Sequence, residues 1–147
     1  MEKDVLVSIK GLQFSGDGNP EKVETINRGD YYKKGDHHYV IFDEVIEGFD
    51  SPTRNMIKFY DGSCSVNKKG VVNVNMLFEE NKQNLTNYVT PFGNILIGIE
   101  TGSIDISESD NQIDIFVHYS LEANYEHLAD CQLEITIKNR SEGFLLS

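Results

Sequence analysis

Four histidines are the side chains of this sequence with the clearest capacity for chemistry. His37 and His38 are adjacent, so on a strand they point to opposite faces and cannot chelate one ion together. His118 lies on the polar side of an alternating segment, and His127 precedes Asp130 by three residues. Such a pair can orient an imidazole for acid–base catalysis, but no serine or cysteine in a recognisable nucleophile elbow accompanies it. We therefore predict no catalytic residue, and keep catalysis by His127 with Asp130, or by His118, as a less favoured hypothesis.

Metal and phosphate motifs are also missing from the sequence. No His-x-His, Cys-x-x-Cys or His-Glu-x-x-His spacing occurs, so we expect neither a metal site nor a cofactor. The carboxylates around the hairpin tip 107–111 lack the fixed spacing and central glycine of a calcium loop, and they indicate a solvated turn. Gly93 and Gly98 lie within an apolar strand, with no helix N-terminus after them to bind a phosphate.

Amino-acid composition indicates which classes of partner are disfavoured and in which compartment we expect the protein. The 147 residues carry 24 acidic and 13 basic side chains, a net charge of −11, which disfavours binding to nucleic acid or to anionic membranes. The sequence has no run of about 18 apolar residues, so we predict no membrane-spanning helix. The acidic start, Met1 to Asp4, is unlike a secretory signal. We therefore expect a cytoplasmic protein of bacterial type whose two cysteines, Cys64 and Cys131, are free thiols.

The elements that must position these side chains follow from a period-two alternation of apolar and polar residues along the whole chain. Its clearest examples predict two long strands near the C-terminal end, whose inward rows are Ile113, Ile115, Val117, Tyr119 and Leu121, and then Cys131, Leu133, Ile135 and Ile137. Helical spacing is limited to Leu121, Tyr125 and Leu128, which predicts at most one helical turn around residues 123–127. Turn residues divide the rest, including the cluster Gly16 to Pro20 before a short strand from Val23 to Ile26.

About ten strands with short connections favour antiparallel pairing of neighbours in the sequence. Closure removes the exposed edges of such a sheet, so we predict an all-β, up-and-down barrel of about 8–10 strands, with a strongly coiled sandwich as the alternative. Gly11, Gly70, Gly93 and Gly98 are expected bend or bulge sites. We predict one domain over residues 1–147, with a core at about 4–138 and a tail at 139–147.

A barrel of this size can hold a small ligand in its interior or at its mouth. The polar side chains that could orient such a ligand are Arg54, Asn73, Asn75, Tyr88 and Tyr119. Each also has an ordinary structural interpretation: a surface ion pair for Arg54, a wet face for the two asparagines, and core packing with a hydroxyl at the rim for the tyrosines.

Some predicted strands are apolar on both faces. In the segment from His38 to Ile46, Val40 and Phe42 oppose Tyr39 and Ile41. An apolar outer face must be covered by a loop, by the tail with Phe144 to Leu146, or by another subunit. A homodimer is therefore one expected assembly.

Several segments together resemble a known family. They are Asp4 to Gly11, Gly29 to Tyr32, Val72 to Phe78, Thr90 to Ile99 and Asn124 to Cys131. On these segments, across about residues 4–138, the chain resembles the YwiB-type family of small bacterial proteins of unknown function with a calycin-like (lipocalin-like) β-barrel. The most specific part is Thr90-Pro91-Phe92-Gly93 followed by an apolar strand. The resemblance implies a barrel related to small-molecule carriers and supplies no established catalytic residue.

The favoured functional hypothesis is a module that binds a small apolar or amphipathic molecule in the barrel interior or at its mouth. The alternative is a structural or interaction module that acts through homodimerisation or a protein partner, without ligand chemistry. Fold-level analogy contributes to the first hypothesis and is a weak basis for function.

Overall fold

A computed structural model describes residues 1–11 and 24–141 as one antiparallel sheet. Its ten strands are β1 Asp4–Lys10, β2 Glu24–Lys34, β3 His37–Glu44, β4 Thr53–Tyr60, β5 Ser63–Lys69, β6 Val74–Glu79, β7 Lys82–Thr90, β8 Gly93–Glu108, β9 Gln112–Ala123 and β10 Glu126–Asn139. The described residues contain no helix, and so none that could cross a membrane. The turn cluster Gly16 to Pro20, the strand start at Val23 and the apolar part of the tail lie outside the described residues.

Strand order follows the sequence around the sheet. The order is β6-β5-β4-β3-β2-β1-β10-β9-β8-β7, and every neighbouring pair is antiparallel. β1 pairs with β10, and this pairing joins the strands β1–β6 and the strands β7–β10 in one sheet. This arrangement confirms the predicted antiparallel up-and-down barrel.

The seam between β6 and β7 is where the barrel is only nearly closed. Among the described residues, it is joined by one antiparallel bridge, in which the backbone N–H groups of Asn73 and Val89 each donate to the other residue's carbonyl at 2.9 Å. Further along, Asn84 Nδ2 donates to the carbonyl oxygen of Leu77 at 3.1 Å. An amide side chain thus satisfies an acceptor on one strand edge that a backbone ladder would otherwise bind.

The core lies inside the barrel and is formed by the alternate residues that the period-two pattern assigns inward. The predicted inward rows of β9 and β10 are buried, apart from Cys131, which is half-buried. The largest fully buried side chains are Phe59, Phe78, Ile57, Met76, Ile97, Ile99, Ile113, Ile115, Leu121, Leu133, Ile135 and Ile137. These side chains pack together in the interior of the barrel.

The connection between β9 and β10 corrects the predicted helical turn around residues 123–127. Asn124 and Tyr125 have φ values of 51° and 69° and form a two-residue hairpin turn between Ala123 and Glu126. Turns with two positive φ values match the right-handed twist of the strands they join. The apolar spacing of Leu121, Tyr125 and Leu128 therefore reflects a hairpin, in which Tyr125 is 75% exposed.

Of the predicted bend sites, Gly11 is the most constrained. Its φ is +92°, and a Cβ atom there would collide with the carbonyl oxygen of Gln132 on β10. Only glycine fits such a close approach of two backbones at a positive φ. Gly70 and Gly93 also have positive φ values, of 147° and 135°.

Candidate functional site

Two of the five predicted ligand-binding residues face the barrel interior. Tyr119 is buried and packs its ring edge-on against Phe78, with centroids 5.0 Å apart. Burial is the main reason why the pKa of the Tyr119 hydroxyl is raised, and the neighbouring Cys131 thiol adds to it. Tyr88 is half-buried, and burial followed by the charge of Glu44 raises the pKa of its hydroxyl. Both tyrosines therefore stay neutral inside the barrel.

The other three predicted residues lie on the outer surface. The Arg54 side chain is 65% exposed, and its Nη1 is 4.0 Å from Asp43 Oδ1. Asn73 Nδ2 donates to the Gly70 carbonyl at 3.0 Å, which secures an exposed turn. Asn75 is exposed on the outer face of β6. The structure thus does not bring the five residues together, and a role for them in ligand binding stays a prediction.

A pocket of about 470 Å³ opens at the end of the barrel formed by the β2–β3 and β4–β5 hairpin tips and the end of β8. We call it the His38 mouth. It is lined by Lys33, Asp36, His38, Phe59, Tyr60, Asp61, Ile106 and Glu108. Aromatic and charged side chains therefore meet at one place where the barrel interior reaches solvent.

His38 lies at the floor of this mouth because the alternation of β3 turns it inward and leaves His37 on the opposite face. The Tyr31 hydroxyl is 2.6 Å from His38 Nδ1. On its other side, the imidazole stacks on Phe59 with centroids 4.6 Å apart and planes 1° from parallel. These contacts fix the orientation of the ring.

The protonation of His38 follows from its surroundings. Burial is the largest cause that lowers its pKa, and Lys33 and His37 act in the same direction, whereas Glu108 and Asp36 oppose it. Burial, followed by Glu108, raises the pKa of the Tyr31 hydroxyl. Both groups are therefore neutral. We assign the tautomer in which the Tyr31 O–H donates to Nδ1 and the ring proton lies on Nε2, because Nε2 faces the Glu108 carboxylate.

That Nε2–H group faces Glu108 across a gap. The distance from His38 Nε2 to Glu108 Oε2 is 3.8 Å, too long for a hydrogen bond. A donor and an acceptor thus stand side by side at the mouth, each able to contact a ligand. Phe59 and Ile106 form the apolar side of the mouth. The Tyr60 side chain follows the outward alternation of β4 and lies against His37, with ring centroids 4.3 Å apart.

Charge around the mouth is predominantly negative. Asp36, Asp61 and Glu108 contribute three carboxylates, against the single ammonium group of Lys33. An aromatic wall with several carboxylates suits a molecule that has an apolar body and a cationic group.

A second polar cluster lies inside the opposite end of the barrel. Lys68 Nζ donates to Glu44 Oε1 at 2.9 Å, with the two side chains only 10% and 13% exposed. Asn55 Nδ2 donates to the same carboxylate oxygen at 3.2 Å, while Asn55 Oδ1 is buried and has no hydrogen-bond partner among the residues that the structure describes. The carboxylate thus balances the charge of the lysine in an ion pair inside this end of the barrel.

The residues of the catalytic hypothesis lie on the outer wall. Ser120 Oγ donates to Asp130 Oδ1 at 2.8 Å, and His127 Nε2 is 3.4 Å from the same oxygen. The carboxylate therefore stands between the hydroxyl and the imidazole, so His127 is not placed to take the serine proton. His118 is exposed in a nearby surface groove. Within the described ranges, no group of three or more His, Cys, Asp or Glu side chains is arranged to hold a metal ion.

The two interior polar clusters were not among the predicted sites, although the sequence contains a signal for one of them. In β3 and β5 the inward apolar rows end in charged residues, Glu44 after Phe42 and Lys68 after Val66. A charge that continues an inward row indicates a buried ion pair. No comparable signal links His38 to Glu108, since 70 residues separate them and only barrel closure brings them together.

The geometry defines a nearly closed, ten-stranded antiparallel barrel with a polar aromatic mouth. Comparison with known proteins agrees, because the family described as "Domain of unknown function (DUF1934)" matches residues 7–135. The chain belongs to this family.

Two comparisons concern a protein of Bacillus subtilis. The chain is 26% identical, over 129 residues, to the "Uncharacterized beta-barrel protein YwiB" of strain 168, covering 86% of this chain and 89% of that protein. It is also similar to the crystal structure of the ywiB protein, with a TM-score of 0.76, 22% identity, and coverage of 93% of this chain and 92% of the other. This second likeness shows the fold.

Proposed function

We propose that this protein binds a small amphipathic molecule that carries an amine or another cationic group, and that the molecule occupies the His38 mouth. The observation that carries the proposal is the pocket of about 470 Å³ in which an oriented imidazole, the apolar side chains of Phe59 and Ile106, and three carboxylates converge. Small-molecule sites typically combine an apolar wall with a few fixed polar groups in this way.

The parts of the mouth have distinct roles in the proposed complex. Phe59 and Ile106 contact the apolar body of the ligand, and Glu108, with Asp36 and Asp61, attracts its cation. The Nε2–H of His38 donates to a ligand acceptor, in an orientation fixed by Tyr31.

Native mass spectrometry with two matched probes tests this proposal. The probes are 2-phenylethylamine and 3-phenylpropanoate, which share an aromatic body and differ in the sign of their charge. We expect the amine to form a one-to-one complex and the carboxylate to bind at least about fivefold more weakly, since the rim repels it.

Two variants separate the mouth from general surface charge. Glu108→Gln removes one rim carboxylate and should weaken binding of the amine by about fivefold or more, because a charge contact in the site is lost. Asp130→Asn, a matched control on the outer wall whose side chain is 85% exposed, should leave binding unchanged. Equal binding of the two probes, or equal losses in both variants, would refute the proposal.

A further inference from the structure

A second surface lies on the outer wall, away from the interior of the barrel. We call it the basic aromatic face. It consists of Lys3, Tyr32, Lys34, Tyr39, Ile41 and Lys58. Its position follows from the same alternation that buries Tyr31 and Val40, which turns Tyr32, Tyr39 and Ile41 outward.

The apolar part of this face is a hollow of about 360 Å³, lined by Tyr32, Lys34, Tyr39 and Ile41. Tyr32 and Tyr39 are directly opposite each other on β2 and β3, and the Tyr32 side chain is 40% exposed. Neighbouring aromatic residues on paired strands form a preassembled surface that loses little side-chain entropy on binding. The hollow is large enough for one bulky apolar side chain of a partner.

Three lysines surround the hollow in a chain that is acidic as a whole. Lys3 Nζ lies 5.4 Å from the centroid of the Tyr32 ring, and Lys58 Nζ lies 5.7 Å from that of Tyr39. Lys34 lines the hollow itself. None of the three has an ion-pair partner within the part of the chain that the structure describes. Asp30 lies further along the outer face of β2 and offsets one of these charges.

We infer that the basic aromatic face binds an acidic peptide segment of a partner protein, with one bulky apolar side chain in the hollow. Carboxylates on either side of that anchor pair with Lys3, Lys34 and Lys58. In a small interface, a buried apolar side chain typically supplies much of the affinity, and the charge contacts around it supply specificity.

Two other occupants fit the face less well. A second copy placed face to face by a two-fold axis would bring six lysine side chains together, and their repulsion opposes that dimer. A single-stranded nucleic acid would stack its bases on the tyrosine rings, where two ammonium groups already lie, and would meet a protein of net charge −11.

The test uses nuclear magnetic resonance titration of the full chain with defined peptides. The first is a blocked hexapeptide with a Phe-Leu centre and two glutamates on each side. In one comparison peptide, lysines replace the glutamates, and in another, two alanines replace the Phe-Leu centre. We expect only the first peptide to shift the amide signals of Tyr32, Lys34, Tyr39 and Ile41.

Charge-reversal variants make the test specific. The double variant Lys34→Glu with Lys58→Glu should weaken binding of the acidic peptide by more than about tenfold, since two charge contacts become repulsive. Lys69→Glu, an exposed matched control on β5, should bind like the wild type.

Four outcomes would overturn the inference. They are binding by the double variant within about twofold of the wild type, equal binding of the lysine peptide, tighter binding of an oligouridylate than of the acidic peptide, and a wild-type dimer that the double variant abolishes. The first two remove the charge argument, and the last two assign the face to a nucleic acid or to a second copy. None of these four outcomes bears on the proposed binding of an amine at the His38 mouth, because the mouth and the hollow share no lining residue.

Discussion

The ion pair between Lys68 and Glu44 offers the sharpest test of how polar side chains are held inside this barrel. The Glu44 side chain is only 13% exposed, and replacing Lys68 by Met leaves its carboxylate with the Asn55 amide, which donates to it at 3.2 Å. Breaking a buried pair by removing one member typically costs about 3–5 kcal/mol, because the other charge stays buried. We expect about 3 kcal/mol for Lys68→Met, since the cluster lies near an open end.

The partner substitution should cost less. In Glu44→Gln the amide oxygen can still accept from Asn55, and the long side chain of Lys68 can extend its ammonium group towards solvent, so we expect a loss of about 1–2 kcal/mol. The double variant no longer buries a charge and should lie within about 1 kcal/mol of the wild type. The coupling energy between the two positions is then at least about 3 kcal/mol.

Urea unfolding followed by circular dichroism measures all four free energies of unfolding. The exposed pair of Arg54 and Asp43, 4.0 Å apart, is the matched control, and Arg54→Met should cost less than about 1 kcal/mol. A loss below about 1 kcal/mol for Lys68→Met, or single losses that simply add in the double variant, would refute the reasoning.

Three further predictions concern backbone strain, pH and thiol reactivity. Gly11→Ala should lower the free energy of unfolding by more than about 2 kcal/mol, because it adds a backbone collision to a strained positive φ. Gly35→Ala should cost only about 1 kcal/mol, because its φ is +58° and, apart from its chain neighbours, no described residue has an atom within 4 Å of the added Cβ; equal losses in urea unfolding would contradict this. Burial lowers the pKa of His38 in the folded protein. Just below the ordinary histidine pKa of about 6.5, the unfolded chain therefore binds more protons at this residue than the folded chain does. The contribution of His38 to the free energy of unfolding is thus complete above that pH and is lost as the pH falls through the lower folded pKa. His38→Gln should flatten this dependence in urea midpoints measured from pH 7 to pH 5, and an unchanged slope would exclude His38 as its source. Burial raises the pKa of the Cys64 thiol to about 12 and also raises that of Cys131, so a disulfide reagent at pH 8 should modify the native protein slowly and both thiols only after unfolding; rapid reaction of two thiols in the native state would be contrary to the structure.

Much of the fold could be predicted because alternation is a local property of each strand. The inward rows of β9 and β10 from Ile113 to Leu121 and from Leu133 to Ile137 follow directly from residue order, and so does the separation of His37 from His38. The helical turn around residues 123–127 was wrong because spacings of three and four residues also occur across a tight hairpin. Its positive-φ turn at Asn124 and Tyr125 overrides that local pattern.

The candidate site could not be predicted in the same way, because it depends on which strands meet across the barrel. Tyr31, His38 and Glu108 come from β2, β3 and β8, and no local pattern relates them. The face of each residue follows from alternation, but its height along the barrel depends on register and strand tilt. Arg54 and Asn75 were predicted as candidates by residue type alone, and their strands turn them outward.

The most direct test of the proposed binding site is a titration of the full chain with 2-phenylethylamine, followed through its amide nuclear magnetic resonance signals. If the amine binds at the His38 mouth, the largest shifts will be at Asp36, His38, Tyr60 and Glu108, and they will saturate together as expected for one site. Shifts centred on Glu44 and Lys68, shifts spread over the outer wall, or no shift at millimolar amine would contradict the account.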